Sequence, residues 1–254
     1  MIPLKDDNPT SSPAVVTMLL IAACIVVYFF VQPVGQNTIF RRSQSQDVAQ
    51  QDNNFTFSHA AVPCEVTHGH PLVVNEQHEP VCASGSPEQE PFPNKNVYLA
   101  ILYSMFLHGS LLHIGGNMLY LWIFGNNIED RMGKPLYLGF YLLAGVVATG
   151  AHILVQPSSV VPVIGASGAI AGVMGAYLVL YPNAPINSLI LIPPIVLFRR
   201  ISAKWLLGFW IISQFFLSPG SGVAWVAHVG GFIFGALVGL VWRSRSKPIN
   251  RYAY

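Results

Sequence analysis

The chain has 254 residues, 52% of them hydrophobic and only 9% charged, with a formal net charge of +2. Globular domains carry roughly a quarter charged residues, so this balance excludes an ordinary soluble globule and points to a membrane protein. The small positive charge forms no nucleic-acid-binding patch.

In chain order, residues 1–12 read as a short cytoplasmic start. Pro13–Val31 is the first candidate span, nearly all apolar from Ala14 onward. Its apolar core exceeds the ~7–15 residues of a signal-peptide h-region and no A-x-A site follows, so a retained signal anchor is expected. Residues 32–107 form a long outer loop. Within it "RRSQSQDVAQQDNN" reads as polar and flexible, "PEQEPFPNKN" as a proline-punctuated approach to the second helix, and the stretch between them as a Cys- and His-bearing patch.

The remaining candidate spans are Leu111–Asn127, Pro135–Val155, Ser167–Tyr181, Ala203–Leu217 and Val226–Trp242, within a core over 108–242 followed by a basic cytoplasmic tail at 243–254. "INSLILIPPIVLFRR" (186–200) is too short to cross and is broken by Pro193-Pro194. It is expected as an interfacial or re-entrant hairpin on the cytoplasmic side, held by Arg199 and Arg200. The fold class is therefore an all-α membrane protein, a bundle of six transmembrane helices with a long outer loop between the first two.

Six spans put both termini on one side. With the termini inside, the inner segments carry Lys5, Arg131, Lys134, Arg199, Arg200, Lys204, Arg243, Arg245, Lys247 and Arg251, and the outer segments only Arg41, Arg42 and Lys95. Ten against three satisfies the positive-inside rule.

Polar groups inside a bilayer are expensive, so each needs a reason. His113 and Asn117 share one face of the second helix, Ser167 opens the fourth, and His228 opens the sixth. In the six-span topology all four lie near the outer ends of their helices, at comparable depth. From Ser167 to Tyr181 a helix covers only ~22 Å of a ~30 Å core, so the segment before it must descend as irregular backbone along protein or a water-filled cavity. Ser167 is then a candidate nucleophile and His228 its base. No carboxylate in the outer halves of these helices orients the imidazole, which leaves a dyad. Asn117, His113 and the Ser167 backbone N–H are candidate oxyanion donors. The alternative for the serine is packing: Gly168, Gly172 and Ala176 form one small-residue ridge, and Gly231, Gly235 and Gly239 another. His108 and His152 carry no catalytic weight.

In the loop, Cys64 and Cys82 both face the oxidising side and are a disulfide candidate. The alternative is a zinc set of Cys64, His68, His78 and Cys82, with His70 spare, although this spacing matches no common zinc motif.

These residues resemble the rhomboid intramembrane serine proteases. "HGSLLHIGGNMLYLWIFGNNIEDRMG" (108–133) is similar to the family's second helix with its H-x-x-x-N pair, "GASG" (165–168) to its G-x-S-G nucleophile motif, and "AHVGGFIFG" (227–235) to its base-bearing last helix. "IPLKDDNPT" (2–10) resembles the start of many bacterial members. The resemblance implies a serine endopeptidase that cuts in or beside the transmembrane segment of single-span membrane proteins, in a bacterial plasma membrane with both termini cytoplasmic. It implies Ser167 as nucleophile, His228 as base, and His113 and Asn117 as oxyanion support, with no cofactor and no metal. Glu129 and Arg131 match a family E-x-R motif, read as structural in the turn after the second helix. The chain departs from the family at Ala171, where some members have a tyrosine stacked on the histidine, and in the first outer loop, which has no Trp.

A non-catalytic client-binding protein of the same fold is the alternative, but such proteins usually lack the serine or histidine. A transporter or channel would need carboxylates along a path, and none of the six helices has a central Asp or Glu.

Overall fold

The two small-residue ridges meet, and the molecule is built outward from that meeting. In a computed structural model, the described residues are 1–39, 46–75, 79–82, 91–192, 195–216 and 224–245. Strand β1 (Ile2–Asp6) is followed by helix α1 (Val15–Val26), which runs on as a π-helical turn over Val27–Val31. The segment that follows carries α2 (Pro33–Ile39), α3 (Gln46–His59), α4 (Pro63–His68), the two-residue strands β2 (Val73–Val74) and β3 (Pro80–Val81), and α5 (Leu99–Ser104). Then come α6 (Leu111–Met132), α7 (Lys134–Val155) and α8 (Ser167–Leu180). Strands β4 (Pro185–Ile192) and β5 (Ile195–Ser202) precede α9 (Ala203–Gln214) and α10 (Trp225–Arg245).

Helices α8 and α10 touch backbone to backbone. A Cβ added at Gly231 would lie 2.2 Å from the Gly168 carbonyl oxygen, and one at Gly235 only 1.8 Å from that of Gly172. Gly239 continues the register against Ala176, 3.1 Å from its Cα. Helix α7 closes the third side with Ala144 and Ala148, against which added Cβ atoms at Gly172 and Gly168 would fall 2.6 and 2.7 Å away. Outward faces are apolar: Leu19, Leu143, Phe209 and Leu237 are all more than half exposed. Among the described residues, Lys134–Val155 and Trp225–Ser244 are long and apolar enough to cross a membrane, while Val15–Val31 and Ser167–Leu180 are apolar but shorter.

Three expectations are corrected. The chain is mostly helical, not all-α, because 186–200 forms the β4–β5 hairpin in a three-stranded antiparallel sheet of order β1–β4–β5. Its interior positions fit a pleated strand, with Ile186 and Ser188 buried and Leu191 exposed; Pro193 and Pro194 lie outside the described residues. Arg200 Nε approaches Asp7 Oδ2 at 3.3 Å, so this arginine ties the hairpin to the N-terminal segment. Second, part of the stretch expected as flexible folds as α3, because Phe57 at its end packs against the small outer core of Val62, Cys64 and Leu72.

Third, the second helix runs five residues beyond Asn127, placing Glu129 and Arg131 in its last turn rather than after it. The extension has a job. Helix α1 has no side-chain cap of its own, and Glu129 supplies one: its carboxylate accepts from the N–H groups of Val16 (2.9 Å) and Thr17 (2.8 Å) and from Thr17 Oγ1 (2.8 Å). Asp130 likewise accepts from the backbone and hydroxyl of Ser11 and Ser12.

Asp6 reaches from β1 into the helices, accepting from Asn127 Nδ2 (2.5 Å) and Tyr177 OH (3.0 Å). Burial pushes its carboxyl up from 3.8 to about 6, with the Tyr177 hydroxyl opposing the rise. The folded state therefore holds this proton more tightly than the unfolded chain. Its contribution is complete below pH 3.8 and is lost as pH rises through about 6. Protection of the β1 amides, measured by hydrogen exchange and corrected for intrinsic rate, is expected to fall from about pH 5 to about pH 7, and Asp6→Asn to flatten that dependence.

At the seam, Gly235→Ala is expected to lower the thermal midpoint in detergent through overpacking of about 1–3 kcal/mol. Gly139→Ala, where an added Cβ meets nothing within 4 Å, is the control and is expected to be neutral or stabilising.

Candidate active site

Helix α6 begins at a polar cap. Ser110 Oγ accepts from the His113 N–H at 3.1 Å, one of the orphan donors of the first turn. Gly109 N–H donates to His113 Nδ1 at 3.4 Å, which leaves the ring proton on Nε2. One turn on, Asn117 is buried, and its Nδ2 has no hydrogen-bond partner among the described residues. A buried donor left unpaired costs free energy, so this amide awaits an acceptor.

Both side chains face Gly165. Its φ of +118° is a conformation that side-chain-bearing residues rarely adopt, and a Cβ there would lie 2.7 Å from His113 Nε2 and 3.6 Å from Asn117 Nδ2. Glycine is required twice over. The Gly165 N–H donates to the Ser104 carbonyl at 2.9 Å, which fixes the turn that delivers Ser167 to the first position of α8.

Across the seam, His228 Nε2 lies 2.7 Å from Ser167 Oγ. The other ring nitrogen, Nδ1, lies 2.7 Å from Gln214 Oε1 on α9. The Trp210 ring sits 5.7 Å from the imidazole, centroid to centroid, tilted by 39°. Ala171 is fully buried and places no aromatic ring beside His228; that ring comes from α9 instead. A cavity of about 710 Å³ opens over this group, lined by His113, Asn117, Gly165, Ser167, Trp210 and His228 among others. The four candidate residues from three helices thus meet around one cavity. His108 is buried beside His113, its backbone clamped by Gln32 at 2.9 and 3.1 Å, and His152 is buried in α7 away from the cavity lining.

Gln214 was legible only as a lone strongly polar residue in an apolar helix. That loneliness was the available signal, because a buried amide in such a place needs a specific partner.

The Rhomboid domain model matches residues 95–245, more than half of the chain and all of the site. The chain belongs to the rhomboid family. Its sequence is 30% identical over 169 residues to the mitochondrial presenilin-associated rhomboid-like protein A of Danio rerio, covering 62% of this chain and 42% of that protein. It is 29% identical over 150 residues to the mitochondrial rhomboid protein 1 of Saccharomyces cerevisiae, covering 56% and 41%. To the rhomboid protease GlpG of Yersinia pseudotuberculosis it is 28% identical over 157 residues, covering 61% and 52%. The chain spans about half the length of the curated relatives it matches.

The rhomboid match begins at residue 95, after the Cys/His patch. Cys64 and Cys82 are joined as a disulfide, with a Cα–Cα distance of 5.9 Å. His68 Nδ1 stands 3.3 Å from Cys82 Sγ and 3.9 Å from Cys64 Sγ, so three of the four proposed zinc ligands cluster, but with the two sulfurs bonded to each other. His78 lies outside the described residues. His70 donates to or accepts from no metal ligand; its Nδ1 is 2.8 Å from the Pro71 carbonyl.

Beside the disulfide, Glu65 and Lys95 form a buried ion pair, and Lys95 also donates to the Phe57 carbonyl at 2.6 Å. Burial holds the Lys95 ammonium below its ordinary value despite that partner. The patch is stitched to the segment between α7 and α8 that leads into the site: Cys64 N–H donates to the Ser159 carbonyl (3.0 Å) and Val163 N–H to that of Ala61 (2.8 Å). Protein purified without reductant is expected to be lighter than its reduced form by one pair of hydrogens and to carry no stoichiometric zinc, read by intact mass and metal analysis.

Proposed function

We propose that the chain is an intramembrane serine endopeptidase working through a Ser167–His228 dyad. The observation that carries this reading is the 2.7 Å contact between Ser167 Oγ and His228 Nε2 inside a cavity that His113 and Asn117 also line. His228 takes the hydroxyl proton as Ser167 attacks the scissile carbonyl carbon, and returns it to the departing amine. Water then enters the cavity and, with the same base, cleaves the acyl-enzyme. The developing oxyanion is met by Asn117 Nδ2, His113 Nε2–H and the N–H of Ser167 at its helix start, where no intrahelical acceptor is available. The unpaired Asn117 donor and the Gly165 clearance support that assignment. No cofactor enters this chemistry.

The reading extends to topology. Six spans, of which α8 is too short to reach both surfaces at ~1.5 Å per residue, would set the dyad below the outer surface and leave both termini on the side rich in basic residues. The exposed apolar faces support a bilayer setting. Substrates are single-span membrane proteins, and the membrane is the plasma membrane of a bacterial cell, a choice resting on the sequence alone.

The test is cleavage of a panel of single-span substrates in proteoliposomes. Ser167→Ala and His228→Ala are each expected to reduce turnover to background, and the double variant to be no worse, because residues acting as a unit are non-additive. Wild-type turnover by Ser167→Ala would sink the reading.

A further inference from the structure

We propose that Gln214 is the positioning residue of the dyad, the group that selects which nitrogen of His228 faces Ser167. This deepens the serine–histidine reading above and rests on it.

Gln214 is 6% exposed in the last turn of α9, whose other residues apart from Lys204 and Ser213 are apolar. A buried amide must satisfy both ends. Its Nε2 donates to the Trp210 carbonyl one turn back at 3.1 Å and to Ser213 Oγ at 3.3 Å. Turning the amide over would set its oxygen against the Trp210 carbonyl oxygen, so the helix itself decides that Oε1 faces outward. That oxygen meets His228 Nδ1 at 2.7 Å. An amide oxygen only accepts, so Nδ1 must carry the hydrogen. The alternative tautomer would press two lone pairs together at this distance. With the proton on Nδ1, Nε2 presents its lone pair to Ser167 Oγ, the arrangement a general base requires.

The choice of an amide has a physical reason. A carboxylate here would bury a charge among apolar helices, at a cost its single imidazole partner would not offset in the resting state. The amide fixes the tautomer and adds no charge. It gives up the stabilisation a carboxylate would lend to the imidazolium formed during attack. Trp210, whose carbonyl anchors the amide, also lays its ring near the imidazole, so one helical turn of α9 constrains the base twice.

The test pairs two readouts on folded, monodisperse protein: peptide-bond cleavage in proteoliposomes and labelling of Ser167 by a fluorophosphonate. Gln214→Leu, similar in size but without an acceptor, is expected to lower kcat and the labelling rate by about 10- to 100-fold with KM and thermal midpoint unchanged. Gln214→Glu keeps an acceptor at the same reach; the buried acid is expected to cost stability, read as a lower thermal midpoint, while restoring most of the rate. Nitrogen-15 NMR of the labelled histidines is expected to show His228 in the Nδ1–H form in the wild type and a mixture of tautomers in the Leu variant. Should Gln214→Leu not fold, Gln214→Met supplies the acceptor-free comparison. Wild-type rates in the acceptor-free variant, with Ser167→Ala inactive, would overturn the role of Gln214 alone. Equal losses in the Glu and acceptor-free variants would also overturn it, since shape and not the acceptor would then matter. Activity in Ser167→Ala would remove the dyad itself and this inference with it.

Discussion

Helices α8 and α10 meet main chain to main chain, and the site depends on that contact. Within a lipid-like surrounding apolar side chains gain little by associating, because the tails around them are equally apolar. What remains is dispersion between closely packed atoms, and glycine at Gly172 and Gly235 brings main chain against main chain. The same approach sets the distance from the start of α8 to the first turn of α10. Ser167 precedes Gly168 by one residue, and His228 precedes Gly231 by three, so the seam and the dyad are one piece of geometry.

The two ends of the bundle are organised differently. At one end carboxylates do the joining: Glu129 and Asp130 close the beginning of α1, and Asp6 pins the N-terminal strand beneath α6 and α8. These groups trade backbone orphans for charge-assisted hydrogen bonds. At the other end the site gathers a hydroxyl, two imidazoles and an amide, those of Ser167, His228, His113 and Asn117, around one cavity.

Much of the site could be read from the sequence because polar residues in apolar helices are few. Ser167, His228, His113 and Asn117 stood out for that reason, and the two glycine ridges gave the means of bringing them together. What escaped was the partner of His228. Gln214 lies fourteen residues before it on another helix, and nothing in the spacing says which of the neighbouring faces it meets. The sheet escaped because β1 and β4 are nearly two hundred residues apart in sequence, and alternation in "INSLILI" was masked by its overall hydrophobicity. The end of α6 was misjudged since charged residues were taken as leaving the helix. They stay in it because α1 begins beside them and needs acceptors.

A seam made of main chain has no rotamers, and so no soft coordinate along which to yield. Side-chain interfaces can breathe by hopping between staggered wells; glycine against carbonyl oxygen cannot. The α8–α10 pair is thus the stiff member of the bundle. Helix α9 meets its neighbours through larger side chains and turns Trp205, Phe209 and Ile212 outward. Side-chain rotamer freedom beside the dyad therefore enters through that helix, whose Gln214 meets the imidazole nitrogen that the serine does not.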